Sequence, residues 1–170
     1  MMLDLDPELD LQIDRVIRAP RPRVWKAWTD PLDLARWWLP APTTCRVERL
    51  DVVPGGAFVT SMSDDGIAFG PHLDACFLVV EAGARIVFTN ALDSRWRPAD
   101  PAPVAMTAEI SFGDHPQGTD YRVIVRHADI RSRAHHEQLG FADGWGTVIA
   151  QLAAVAEATE TPTEAPNGER

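Results

Sequence analysis

The sequence predicts one α+β domain in which an antiparallel sheet curls around a long C-terminal helix and encloses an apolar pocket. Three observations carry this expectation. Strand-length apolar alternations separated by turn residues fill the middle of the chain, residues 43–129. One long amphipathic helical pattern follows, over 134–158. Ahead of both stand a strand and two short helical segments. With 170 residues and 45% hydrophobic content, the chain has apolar mass enough for one core.

The first strand is predicted over 9–18, where Leu9, Leu11, Ile13 and Ile17 share a face and Arg15 interrupts it. Ala19-Pro20-Arg21-Pro22 ends that strand, because each proline removes a donor and restricts the residue before it. Val24, Trp25 and Trp28 form the stripe of a short helix. Asp30-Pro31 then restarts the helix, with Asp30 as N-cap and Pro31 at the first helical position. Leu34, Trp37 and Trp38 belong to this second helix, which stops before Pro40 and Pro42.

The stretch 43–52 changes phase between Val47 and Leu50, which predicts a bulge near Glu48-Arg49. Further strands are predicted over 57–63, 73–80, 85–92, 104–112 and 119–129. Apolar on both faces, 73–80 reads as a central strand covered on each side. A proline-rich loop spans 93–103, and short polar turns join the other strands, which implies an antiparallel meander of about six or seven strands. In the final helix Phe141, Trp145, Val148, Ile149, Leu152 and Val155 recur at helical spacing. Gly140, Gly144 and Gly146 interrupt it at about 1 kcal/mol each, which predicts close passage of another element. The domain is thereby placed at 9–158, with 1–8 and 159–170 as flexible termini.

The formal net charge of −9 argues against nucleic-acid backbones and anionic membrane surfaces as partners. The N-terminal residues lack the pattern of a signal peptide, and no apolar run is long enough to cross a bilayer, so a cytoplasmic protein is expected. Cys45 and Cys76 have the spacing of neither a redox motif nor a zinc site and are expected as free thiols. No cofactor motif, metal-binding spacing or nucleophile elbow occurs.

Particular stretches resemble a known family. RVIRAPRPRVWKAWTDPLDLARWWLP at 15–40 is similar to the opening of bacterial SRPBCC proteins of the START-like superfamily. Within it, the resemblance is to the AHSA-like group, named after the C-terminal domain of an activator of the Hsp90 chaperone ATPase. PGGAF at 54–58, VFTNALD at 87–93 and HHEQLGFADGWGTVIAQLAAV at 135–155 fall where the group has its second hairpin, a central strand and its closing helix. The resemblance implies the helix-grip fold. It leaves function open, because the superfamily includes carriers, receptors, cyclases and chaperone cofactors. Leu39 stands where the group usually has glycine, and the further N-terminal domain of the chaperone activator is not expected in this chain.

Candidate ligand-binding residues are Trp37, Trp38, Met62, Phe88, Met106, Phe112, Phe141, Trp145 and Arg15. The aromatics and methionines offer apolar wall, and Arg15 offers a guanidinium that pairs with a ligand carboxylate; its structural alternatives are a partner such as Glu109 or an exposed strand position. Being adjacent on a helix, Trp37 and Trp38 cannot both face the same way. Candidate proton-transfer residues are His72, His127 and Tyr121, each weighed against a structural role. The function expected is binding of a small hydrophobic or aromatic molecule without turnover. A polyketide cyclase or aromatase, a chaperone ATPase activator and a homodimeric interaction module are the alternatives.

Overall fold

In the computed structural model, which describes residues 3–158, the elements follow the predicted order. The tail expectation for 159–170 lies outside the described residues. β1 (Asp10–Ile17) precedes α1 (Arg21–Thr29) and α2 (Pro31–Leu34). β2 (Thr44–Leu50), β3 (Ala57–Ser63), β4 (Gly70–Glu81), β5 (Arg85–Thr89), β6 (Thr107–His115) and β7 (Gly118–Arg126) follow, then α3 (Ile130–Gln138) and α4 (Phe141–Glu157). The seven strands form one antiparallel sheet in the order β1-β7-β6-β5-β4-β3-β2, open at β1 and β2. This is the helix-grip fold. No single helix among the described residues is long and apolar enough to cross a membrane.

Local chemistry accounts for most boundaries. Asp30 caps α2 by accepting hydrogen bonds from the backbone of Leu32 at 2.9 Å and Asp33 at 3.2 Å. The helix ends at Leu34, so Trp37 and Trp38 sit in the turn beyond it rather than on it. The register of β2 against β3 skips Glu48, the bulge expected from the phase change. Val104 and Met106 stand ahead of β6 because the Asn90 side chain ties them: its Oδ1 accepts from Met106 N at 2.8 Å, and its Nδ2 donates to Val104 O at 3.2 Å.

Three expectations about this frame are corrected. The long helix is two helices meeting at a bend of 64°. Gly140, at φ 91°, is left-handed there, a conformation that ends α3 and that glycine adopts without strain. A Cβ at Gly140, Gly144 or Gly146 would meet nothing within 4 Å, so no neighbouring element requires these glycines. β4 is central in the sheet but is not covered on both sides, because the helices occupy one face only; Leu78 stays 42% exposed on the other. The loop after β5 covers part of that outer face, where Ser94 N donates to Asp74 Oδ1 at 2.7 Å.

The interior between sheet and helices is aromatic. Trp28 and Trp37 lie 4.9 Å apart edge to face, Trp38 packs on Phe58 at 5.0 Å, and Phe58 stacks on Phe77 at 5.3 Å. Trp28 Nε1 donates to Tyr121 Oη at 3.1 Å, a fully buried pair, and burial pushes the phenol pKa up. Tyr121→Phe leaves the Trp28 N–H with no acceptor in a dry core, so a loss of about 2 kcal/mol is expected in urea denaturation. A loss below about 0.5 kcal/mol would mean the indole finds another acceptor.

Candidate functional site

The aromatic packing stops short of one end of the grip. There, between β4, the turn after α2, the segment before β6 and α4, a cavity of about 270 Å³ remains. Trp38, Leu39, Leu73, Met106, Trp145 and Val148 supply apolar wall, and His72, Asn90 and His136 supply its polar atoms. Among the described residues no Asp, Glu, Lys or Arg lines it. The turn that carries Trp38 and Leu39 is held by Gln151 of α4. Its Nε2 donates to Trp37 O at 3.0 Å and Leu39 O at 2.7 Å, and its Oε1 accepts from Ala41 N at 2.9 Å. The Trp38 indole N–H is buried in this wall without a hydrogen-bond partner among the described residues.

His136 reaches the cavity because the bend at Gly140 lays α3 across the end of α4. Its Nδ1 lies 2.8 Å from His127 Nε2, and His127 Nδ1 lies 2.9 Å from Leu9 O. Burial, followed by the neighbouring His127 and His135, lowers the His136 pKa to about 4. His72 sits on the irregularity where β3–β4 register shifts, with Nδ1 2.9 Å from Thr60 Oγ1. It keeps an exposed edge, yet desolvation of its ring holds its pKa below the ordinary value.

The depressed pKa of His136 makes stability pH-dependent. An unfolded histidine titrates near 6.5, whereas His136 in the folded chain does so at about 4. The unfolded state therefore binds the proton first, and stability present above pH 6.5 is lost as the pH falls towards 4. Allowing for solvent screening from the cavity side, the loss is about 2 kcal/mol. Urea denaturation at pH 7.5 and 4.5 should show the wild type losing about that much more than His136→Asn. Equal losses in both proteins would place the titration elsewhere.

The residues singled out from sequence divide between cavity and core. Trp38, Met106 and Trp145 line the cavity together with His72. Trp37 is buried behind them, its Nε1 donating to Ala27 O at 2.8 Å. Phe88 is fully buried against Phe58 and Trp38, and Phe112 packs between Trp25 and Tyr121. Phe141 backs the wall from behind, 5.1 Å from the His136 ring and 5.8 Å from Trp145. Met62 is 42% exposed near the end of β3 and takes no part in the wall. Arg15 is exposed on edge strand β1, away from the cavity, and Glu109 pairs instead with Arg85 and Arg126. His127 stands behind His136, and Tyr121 is sealed in the core.

His136, Asn90, Leu39 and Gln151 are site residues that sequence reading misses. His136 directly follows His135 in the last turn of α3, and adjacent helical side chains diverge. Only the tertiary approach of β7 and α3 pairs it with His127. A Gln within an apolar helical stripe, as at Gln151, is the one signal that was available, since a polar group there needs a partner.

Comparison with known proteins follows the same frame. The family model for activator of Hsp90 ATPase homolog 1-like protein matches residues 18–157. A crystal structure of a protein from Nitrosomonas europaea is similar at TM-score 0.80 and 38% identity, covering 91% of this chain and 97% of that one. One from Chromobacterium violaceum is similar at TM-score 0.69 and 26% identity, covering 88% and 98%. The solution structure of an AHSA1-like protein from Aeromonas hydrophila, at 24% identity and TM-score 0.63 over 90% and 99%, shares the fold. No curated protein matches the chain.

Proposed function

The chain belongs to the activator of Hsp90 ATPase homolog 1-like family, and within it we propose that this protein binds a small hydrophobic or aromatic molecule in the cavity between α4 and the sheet. The observation that carries the reading is an apolar cavity of about 270 Å³ left beside a filled aromatic core. An empty apolar space forfeits dispersion contacts. A ligand that fills it recovers them. Its volume suits a molecule of one or two fused rings, below the usual range of drug-sized pockets. Burying about 200 Å² of apolar ligand surface supplies roughly 5 kcal/mol, enough for sub-millimolar affinity.

A larger groove of about 570 Å³ adjoins the cavity and shares His72 and Asn90 with it. Charged Arg46, Glu48, Asp74 and Asp93 line that groove, which makes it a solvated approach rather than an apolar binding place.

Native mass spectrometry of freshly purified protein, which also reads a homodimer, and tryptophan fluorescence titrated with naphthalene test the reading. Quenching of the wall indoles Trp38 and Trp145 with a saturable dependence is the expected result. Fluorescence unchanged up to the solubility of the hydrocarbon would sink it. The family description itself favours a second reading, an interaction module acting on a chaperone ATPase. That role predicts stimulated hydrolysis by such a partner, undiminished when the cavity is blocked. The acidic chain and its free Cys45 and Cys76 support a cytoplasmic setting for either role.

A further inference from the structure

The order of protons along the His127–His136 pair follows from its anchor. Leu9 O is a carbonyl and can only accept, so His127 Nδ1 carries the hydrogen of that 2.9 Å bond. With the ring uncharged, His127 Nε2 is then a bare acceptor, and the 2.8 Å contact requires His136 Nδ1 to donate to it. That leaves the lone pair of His136 on Nε2. Nε2 has no partner among the described residues, and its ring forms part of the cavity wall. The opposite order needs an added proton on the pair, which burial and the adjacent His127 and His135 oppose at neutral pH.

Of the other polar side chains in the wall, Asn90 is committed, and His72 keeps only its Nε2, a donor or an acceptor according to the tautomer set at Nδ1. Both functions of the Asn90 amide are used by Met106 and Val104, and His72 Nδ1 is used by Thr60. The Trp38 N–H is buried and is not open to the cavity. Among the described residues no cation lines the cavity to receive an anion.

We propose that the cavity selects a neutral hydroxylated aromatic, a phenol or naphthol in class, whose O–H donates to His136 Nε2 while its ring lies among Trp38, Met106 and Trp145. This rests on the cavity being a ligand site, and it adds polarity and charge to that reading. A carboxylate would set its oxygens against the histidine lone pair with no counter-ion near, and a plain hydrocarbon would leave that lone pair unfilled.

The test is a calorimetric titration at pH 7.5 with naphthalene, 2-naphthol, 2-methoxynaphthalene and 2-naphthoate. The wild type should bind 2-naphthol about fivefold tighter than naphthalene, the gain from one hydrogen bond. The methoxy compound, which cannot donate, should fall back to the hydrocarbon's affinity, and the naphthoate should bind weakest. His136→Asn places its amide N–H where Nδ1 stood, so the bond to His127 is kept while the Nε2 acceptor is removed. Whatever its affinity for naphthalene, the variant should bind naphthol, ether and hydrocarbon alike, losing the preference that the wild type shows. Equal binding of naphthol, ether and hydrocarbon by the wild type overturns the inference and leaves the cavity reading standing. So does tighter binding of the carboxylate. The ligand series decides this even where the variant fails to fold. Absence of binding by all four compounds overturns the cavity reading and the inference together.

Discussion

Glu109→Ala is expected to lower stability by about 3 kcal/mol, the largest single effect foreseen in this protein. Glu109 is 5% exposed on β6, on the sheet face away from α4, between Val87 of β5 and Ile124 of β7. Its two oxygens take Arg85 Nη1 at 3.3 Å and Arg126 Nη1 at 2.7 Å. Arg85, itself 8% exposed, also meets Glu81 at 2.8 Å. Deleting the carboxylate removes an acceptor from both guanidiniums at once, in surroundings too dry for water to replace it fully. Arg126 keeps a contact with Leu3 O at 3.1 Å, and Arg85 keeps Glu81, which holds the cost at the lower end of the range for broken buried pairs. For a domain of this size the expected change in Tm is about 10 °C. Glu109→Gln retains one acceptor oxygen and should lose about half as much. A Glu109→Ala shift under about 2 °C would show the network to be solvated rather than buried.

The second large effect concerns the ligand. Gly144 lines the cavity from α4, and a Cβ there would meet nothing within 4 Å. Gly144→Phe puts a ring into the space the ligand needs without striking the backbone. The affinity for naphthalene should fall more than tenfold, because the apolar area that drives binding is then covered by the protein's own side chain. Stability should stay level or rise, since glycine within a helix costs about 0.5–1 kcal/mol relative to a residue with a side chain. That sign separates blockade from unfolding. Gly146→Phe, on the same helix, also in open space but outside the wall, is the control and should bind as the wild type does. Variants that bind alike would put the ligand somewhere other than this cavity.

The fold was legible wherever local chemistry decides it. Asp30-Pro31, the phase change around Glu48 and the alternating apolar strands each act within a few residues, and each sits in the structure as read. The helix after β7 was harder. The predicted helix over 134–158 crosses Gly140, and an apolar spacing that begins only at Phe141 does not reveal that a left-handed glycine turns the chain by 64° there. The site inherits this difficulty. Trp38, Met106 and Trp145 were visible because large apolar side chains form walls as well as cores, yet Phe88 and Phe112 have the same chemistry and went to the core. Which of the two a residue does depends on how far the aromatic packing extends along the sheet, a property of the whole interior. His136 was invisible for the same reason, since its role comes from a partner on the strand side and from the bend beside it.

The most direct measurement uses the methionines. Of the four in the chain, Met106 lines the cavity and Met62 lies exposed outside it. In protein labelled with ¹³C at the methionine methyl groups, naphthalene held against Trp38 and Trp145 should move the Met106 signal by its ring current and leave Met62 in place. A Met62 signal that moves while Met106 stays fixed, or two signals that never move, would contradict a ligand between α4 and the sheet.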